Sequence, residues 1–286
     1  MILTNSSAAK VGASNATTIA SSTASFRQFM CYLSATISTA ITGTTGLIKN
    51  GIGGLTLSGI CNYTGTTQIN QGALTITSAS SLSGVISGAG SLAKTGTAVL
   101  TIGGNNTYSG GTSFNSGGLA TLINFNSSNA FGTGLFTVSN AAGQISTGGN
   151  VTLPNDFLIN TSLQYRTSLA NTITLTGNIA GSGGINKTGN GPLNLTAATL
   201  TYTGSTSRTS GSIVASKTTG ASTATATLGA GLSVSFNVSP PSGTTTFRFF
   251  QGSTTNSYPS VTWTGLPVGS TATYSSSNST LSVTVP

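Results

Sequence analysis

The chain has 286 residues, of which nine are Lys or Arg, one is Asp or Glu and none is His. With Asp156 as the single carboxylate and no imidazole, one chain cannot supply a Ser-His-Asp triad, a paired-carboxylate site or a His-based metal site, so the expectation is a non-enzymatic role without cofactor or metal. The net charge of +8 comes from missing acids rather than abundant bases; the bases stand singly, which argues against nucleic acid as a partner and leaves an anionic surface as a candidate.

Residues 1–36 differ from the rest. The first ten, from Met1 to Lys10, lack a basic start followed by a continuous apolar run, so the expectation is a chain without a secretion leader of its own. No window anywhere holds about 18 consecutive apolar residues, so no membrane-spanning helix is expected. Residues 4–25 are rich in Ser, Ala and Thr and too poor in apolar side chains to order by themselves. Phe26, Phe29, Met30, Leu33 and Ile37 then follow i, i+3, i+4 spacing behind Ser25 as an N-cap, which predicts a short helix. This segment reads either as a plug on the first coil or as a docking element, with Phe26, Phe29, Met30 and Leu33 facing a partner or a trimer axis. Cys31 and Cys61 are too few for a disulfide framework and fit no zinc spacing; they read as small buried thiols, with a single bridge as the alternative.

Residues 37–227 carry an internal repeat anchored on Lys49, Lys94 and Lys187. Two residues before each Lys stands Leu47, Leu92 or Ile185, and two after stands Gly51, Gly96 or Gly189. Leu55, Leu100 and Leu193 follow, then Leu57, Ile102 and Leu195. Tyr63, Tyr108 and Tyr202 each precede a Gly by two positions, and Leu74, Leu119 and Ile213 close the units. Lys49 and Lys94 are 45 residues apart and Lys94 and Lys187 are 93, so a degenerate unit is expected near 125–170 between units near 37–81, 82–124 and 175–220.

Within each unit, short runs such as Leu55-Thr-Leu57 alternate apolar and polar between Gly- and Asn-rich turns, which predicts strands. The fold class expected is all-β: a parallel β-helix, with one unit taken as about two coils. Such a stack suits the composition, since backbone pairing between coils supplies much of the cohesion and few inward Leu, Ile or Val are needed per coil. The lysines and tyrosines are expected at corners. For Lys the alternatives are a row of ligand-binding cations roughly 9–10 Å apart or a stem covering apolar surface; for Tyr they are a sugar-stacking row or packing. Residues 228–286 read as a β-rich cap with turns at Pro240-Pro241 and Pro259, which shields the last strand edge.

The run GSLAKTGTAVLTIGGNNTYSGGTSFNSGGLATL at 90–122 resembles the passenger-associated transport repeat of autotransporter β-helices. The copy at 46–76 is similar and that at 183–213 weaker, so the resemblance covers roughly residues 37–213. It implies a right-handed parallel β-helix in an extracellular or surface setting, and no catalytic residues. The resemblance would bring a leader and a translocator barrel, and neither is expected from this sequence. The leading expectation is therefore a structural or adhesive protein on a virus particle (a phage head fibre, decoration protein or tail-fibre component). It would dock on other virion proteins through its N-terminal segment or one face, and present polar rows to a host glycan or anionic surface. The alternative is a secreted or cell-surface autotransporter-like adhesin.

Overall fold

The computed structural model describes residues 2–3, 9–11, 19–21, 27–117, 121–140, 142–168, 171–196, 199–219, 222–228, 232–238, 242–248, 261–275 and 280–286. Alternation dictates the local structure. Leu55–Leu57 and Leu100–Ile102 are three-residue strands whose outer members are buried and whose central Thr is half-buried. A strand this short buries too little surface to persist alone; it is held by the coils above and below.

Successive strands fall on three faces. The first face starts with Ile2–Leu3, Arg27–Cys31, Leu47–Asn50, Thr67–Ile69 and Ile86–Ser87. It resumes with Val151–Leu153, Ile173–Leu175, Pro192–Leu195 and Ser212–Thr219. The second face is one nine-stranded sheet from Ala9–Val11 to Ile179–Ala180. The third runs through Ile19–Ser21, Ile41–Gly43 and Cys61–Tyr63, then through seven strands from Ser80–Leu82 to Thr206–Arg208. Every pairing along these stacks is parallel, giving a β-solenoid of about nine turns.

Register sets the coil length. Thr36 pairs with Thr56 and Thr56 with Thr75, steps of 20 and 19 residues. Farther on Thr112 pairs with Phe136 and Phe136 with Phe157, steps of 24 and 21. Longer coils enclose more volume, and here rings fill it: Phe125–Phe131, Phe131–Phe136 and Phe136–Phe157 have centroids 4.9, 4.5 and 5.0 Å apart.

The 45 residues from Lys49 to Lys94 are therefore two coils and one further face, and the 93 from Lys94 to Lys187 are four coils and one further face. Lys49 lies on the first face, Lys94 on the second and Lys187 on the third. The repeat advances around the rod, so the alternative of a longitudinal row of lysines does not form.

The N-terminal segment also departs from expectation: no described residue is helical. Arg27–Cys31 is a strand, paired in parallel with Ile2–Leu3 and Leu47–Asn50. Arg27, Phe29 and Cys31 point inward, Met30 is half-buried, and Leu33 lies exposed at the corner beyond. Phe26 lies outside the described residues. The i, i+3, i+4 apolar spacing misled because the inward row begins with Arg27. Its guanidinium is buried and donates to the carbonyls of Thr45 at 2.5 Å and Thr42 at 2.6 Å.

After Ser212–Thr219 the parallel stacking ends. Ser222–Leu228 and Leu232–Val238 continue that sheet antiparallel, and Val261–Thr264 pairs with the last of them in parallel. Gly243–Arg248, Thr280–Val285 and Thr271–Ser275 form a separate antiparallel sheet, with Leu281 and Val283 buried. Cys31 and Cys61 are buried free thiols on the first and third faces.

Candidate binding face

The repeat-defining side chains build the interior. Leu55, Leu57, Leu74, Leu100, Ile102, Leu193, Leu195 and Ile213 are all buried, and Leu119 lies outside the described residues.

The lysines are interior too. Lys49, Lys94 and Lys187 are 0% exposed and occupy inward strand positions. Lys49 sits in register between Phe29 and Ile69, Lys94 between Ile76 and Phe114, and Lys187 between Tyr165 and Arg208. An inward ammonium needs partners, and the corner supplies them. Lys49 Nζ donates to the carbonyls of Asn50 at 3.0 Å, Gly51 at 2.7 Å and Gln71 at 3.1 Å. Lys187 Nζ donates to those of Thr188 at 2.6 Å and Gly189 at 2.7 Å, and Lys94 Nζ to those of Thr95 and Gly96. Burial lowers all three ammonium pKa values, Lys94 and Lys187 to about 8, the nearby Arg208 charge adding to the effect at Lys187.

Glycine two residues on completes the device. Gly51, Gly96 and Gly189 have φ of +80°, +72° and +75°, a left-handed turn that aims their carbonyls back at the lysine. At Gly189 a Cβ would also stand 2.0 Å from the Thr167 carbonyl oxygen of the coil below.

The tyrosines are buried, so a sugar-stacking row is not available to solvent. Tyr63, Tyr108 and Tyr202 place their hydroxyls 2.7, 2.6 and 2.6 Å from those of Thr67, Thr112 and Thr206. Those threonines were not singled out from the sequence, although each stands four residues after its tyrosine.

The single carboxylate belongs to the corners. Asp156 Oδ1 accepts from the Asn178 backbone N–H of the next coil at 2.7 Å. Asn62 and Asn150 accept in the same way from the N–H groups of Ser81 and Thr172. Asn70 Nδ2 donates to Asn50 Oδ1 at 2.7 Å, a short side-chain ladder between coils.

A polar surface open to recognition lies on the outward side of the third face. Thr101, Asn124, Ser146, Arg166 and Thr188 form one outward row in register, one residue per coil. Beside the row runs a groove of about 560 Å³ lined by Asn124, Ser146, Arg166, Ser168 and Asn190 among others. It shares Asn124, Ser146 and Thr147 with a second hollow of about 300 Å³ that reaches Thr101 and Gly148.

Charge distribution marks the same place. Arg27, Lys49, Lys94 and Lys187 are buried and Arg208 is half-buried. Among the basic residues whose side chains are described, Arg166 alone is exposed. Sequence reasoning counted it as one of nine scattered bases, because nothing in the sequence marked the others as interior.

The passenger-associated-transport-repeat family matches the chain at residues 47–76 and 92–120, the units that hold Lys49 with Tyr63 and Lys94 with Tyr108. No curated protein and no solved structure matches the chain.

Proposed function

Since the chain carries passenger-associated-transport repeats in a parallel β-solenoid, we propose that it works outside the cell as a passenger-type module: a rod, secreted or held at a bacterial surface, that presents polar faces for adhesion. The observation that carries the reading is that the two matched units are continuous, in register, with the other coils. Transport-associated repeats of this kind are typical of autotransporter passenger regions, and an adhesive role needs no catalytic group. The polar outward row of the third face supports an adhesive role over a purely mechanical one.

Placement on a virus particle was the leading expectation from sequence. It rested on the character of the chain's two ends, which has no bearing on the repeats, and neither the fold nor the family match favours it.

Fractionation of the native source tests the proposal. Peptides of this chain should appear in the medium or be removed from intact cells by an external protease that leaves cytoplasmic markers whole. Sedimentation of the chain with nucleic-acid-containing particles would overturn the proposal and restore the virion reading.

A further inference from the structure

We propose that the groove on the third face is a binding site for an acidic oligosaccharide, with Arg166 gripping its carboxylate or sulfate. The inference rests on the extracellular reading only for where such a ligand would be met.

Three observations converge. The first is the exposed cation. Arg166 is exposed, borders the groove, and no described residue hydrogen-bonds or ion-pairs with its guanidinium. The planar fork of a free guanidinium matches a carboxylate or sulfate with two parallel hydrogen bonds.

The second is the rest of the lining. Asn124, Ser146, Ser168 and Asn190 bring amides and hydroxyls, with no carboxylate, and Asp156 sits at a corner leading into the second face. Amides and hydroxyls both donate and accept, which suits a ligand dense in hydroxyl groups. One cation among neutral polar groups fits a sparsely charged chain; a nucleic acid would call for several.

The third is the space itself. Most described glycines are forced by their neighbours: a Cβ on Gly177, Gly183 or Gly191 would lie 2.0–2.1 Å from a carbonyl oxygen. Gly148 and Gly149 are different, because a Cβ on either would meet nothing within 4 Å. Coil packing does not require glycine there, yet Gly148 lines the hollow that adjoins the groove. Its missing side chain keeps that end open. The register adds direction: Asn124, Ser146 and Arg166 are stacked one coil apart, about 4.8 Å per step, so a ligand would lie along the solenoid axis.

Isothermal titration of the full purified chain tests this. The probes are 3′-sialyllactose and 3′-sulfolactose, each carrying one acidic group, beside lactose as their uncharged counterpart. At least one acidic member should bind at least tenfold more tightly than its counterpart. Arg166→Gln should reduce it to the counterpart's level, and Gly148→Phe should weaken both, while circular dichroism and melting temperature stay at wild-type values. Failure of every acidic probe to bind at millimolar concentration, or unchanged affinity in Arg166→Gln, would overturn the proposal. The titration is independent of where the chain resides, so its failure and that of the extracellular reading are separately visible.

Discussion

The Tyr108 hydroxyl lies 2.6 Å from the Thr112 hydroxyl, joining the end of the first face to the start of the second across a corner. The same pair recurs as Tyr63 and Thr67 from the third face to the first, and as Tyr202 and Thr206 where the chain enters the third. Each tyrosine is buried, so each hydroxyl has exchanged water for one side-chain partner. The pair makes the corner a specified turn rather than a loose loop.

Breaking one half should cost more than removing both. Thr112→Val alone leaves the buried Tyr108 hydroxyl without its partner, at about 1–3 kcal/mol, whereas Tyr108→Phe leaves Thr112 donating to the Phe131 carbonyl at 3.3 Å and should cost less. The double variant should recover part of that loss. A double-mutant cycle by urea denaturation checks it, and strict additivity would mean the contact carries no coupling.

Stability should rise as pH is taken from about 8 towards 9. Burial lowers the folded pKa of Lys94 and Lys187 to about 8, against 10.5 when exposed. Between those values the unfolded chain holds protons that the folded chain has released, so raising the pH favours folding. Cys61 acts oppositely: its folded pKa is raised from 9.0 to about 11, so its contribution is lost as pH climbs above 9.0. Burial of Tyr63, Tyr108 and Tyr165 likewise raises their folded values, and their contributions fall away above 10.0. A maximum between pH ~9 and ~10 is expected in thermal melts, with the rise flattened in Lys94→Met/Lys187→Met.

Two glycines near the third face should respond in opposite ways. Gly189→Ala places a Cβ 2.0 Å from the Thr167 carbonyl oxygen at a φ of +75°, and should destabilise by at least ~2 kcal/mol. Gly148→Ala meets open space and should leave the melting temperature within about a degree, the scale of a neutral surface change. Equal melting shifts in the two variants would refute the corner geometry.

Leu100→Asp or Leu193→Asp should unfold the stack. Both leucines are 0% exposed; Leu193 lies between Ile173 and Ile213 and Leu100 between Ser80 and Ile123, where one serine hydroxyl cannot replace the hydration of a carboxylate. Loss of the far-ultraviolet β signal at 25 °C is the expected readout, and a wild-type melt would show the register to be wrong.

The alternation of Leu55-Thr-Leu57 and its relatives was enough to read strands, stacking and the identity of the buried rows. The number of faces was not legible, for a physical reason. Each strand, on whichever face, shows the same inward-outward alternation, so the 45-residue repeat displays matching positions without saying how many corners separate them. Interior cations hid more. Arg27, Lys49, Lys94 and Lys187 stand at inward positions that periodicity assigns to apolar residues, because corner carbonyls solvate them there. Mistaking Arg27 for an outward residue converted a strand into an apparent helix; mistaking the lysines for surface charge concealed how isolated Arg166 is. The groove was not legible, since it joins residues from four coils separated by some twenty positions each.

The one-face shift from each tied lysine to the next has a mechanical corollary. A reinforcement recurring after a whole number of turns would align its copies in a single seam, leaving the remaining circumference to part under shear. Here the lysine-tied corners wind around the shaft like stitches in a spiral binding, each copy bracing a different side. Lys49, Lys94 and Lys187 therefore tie three different faces at three heights of the stack, and no two of them lie on one seam.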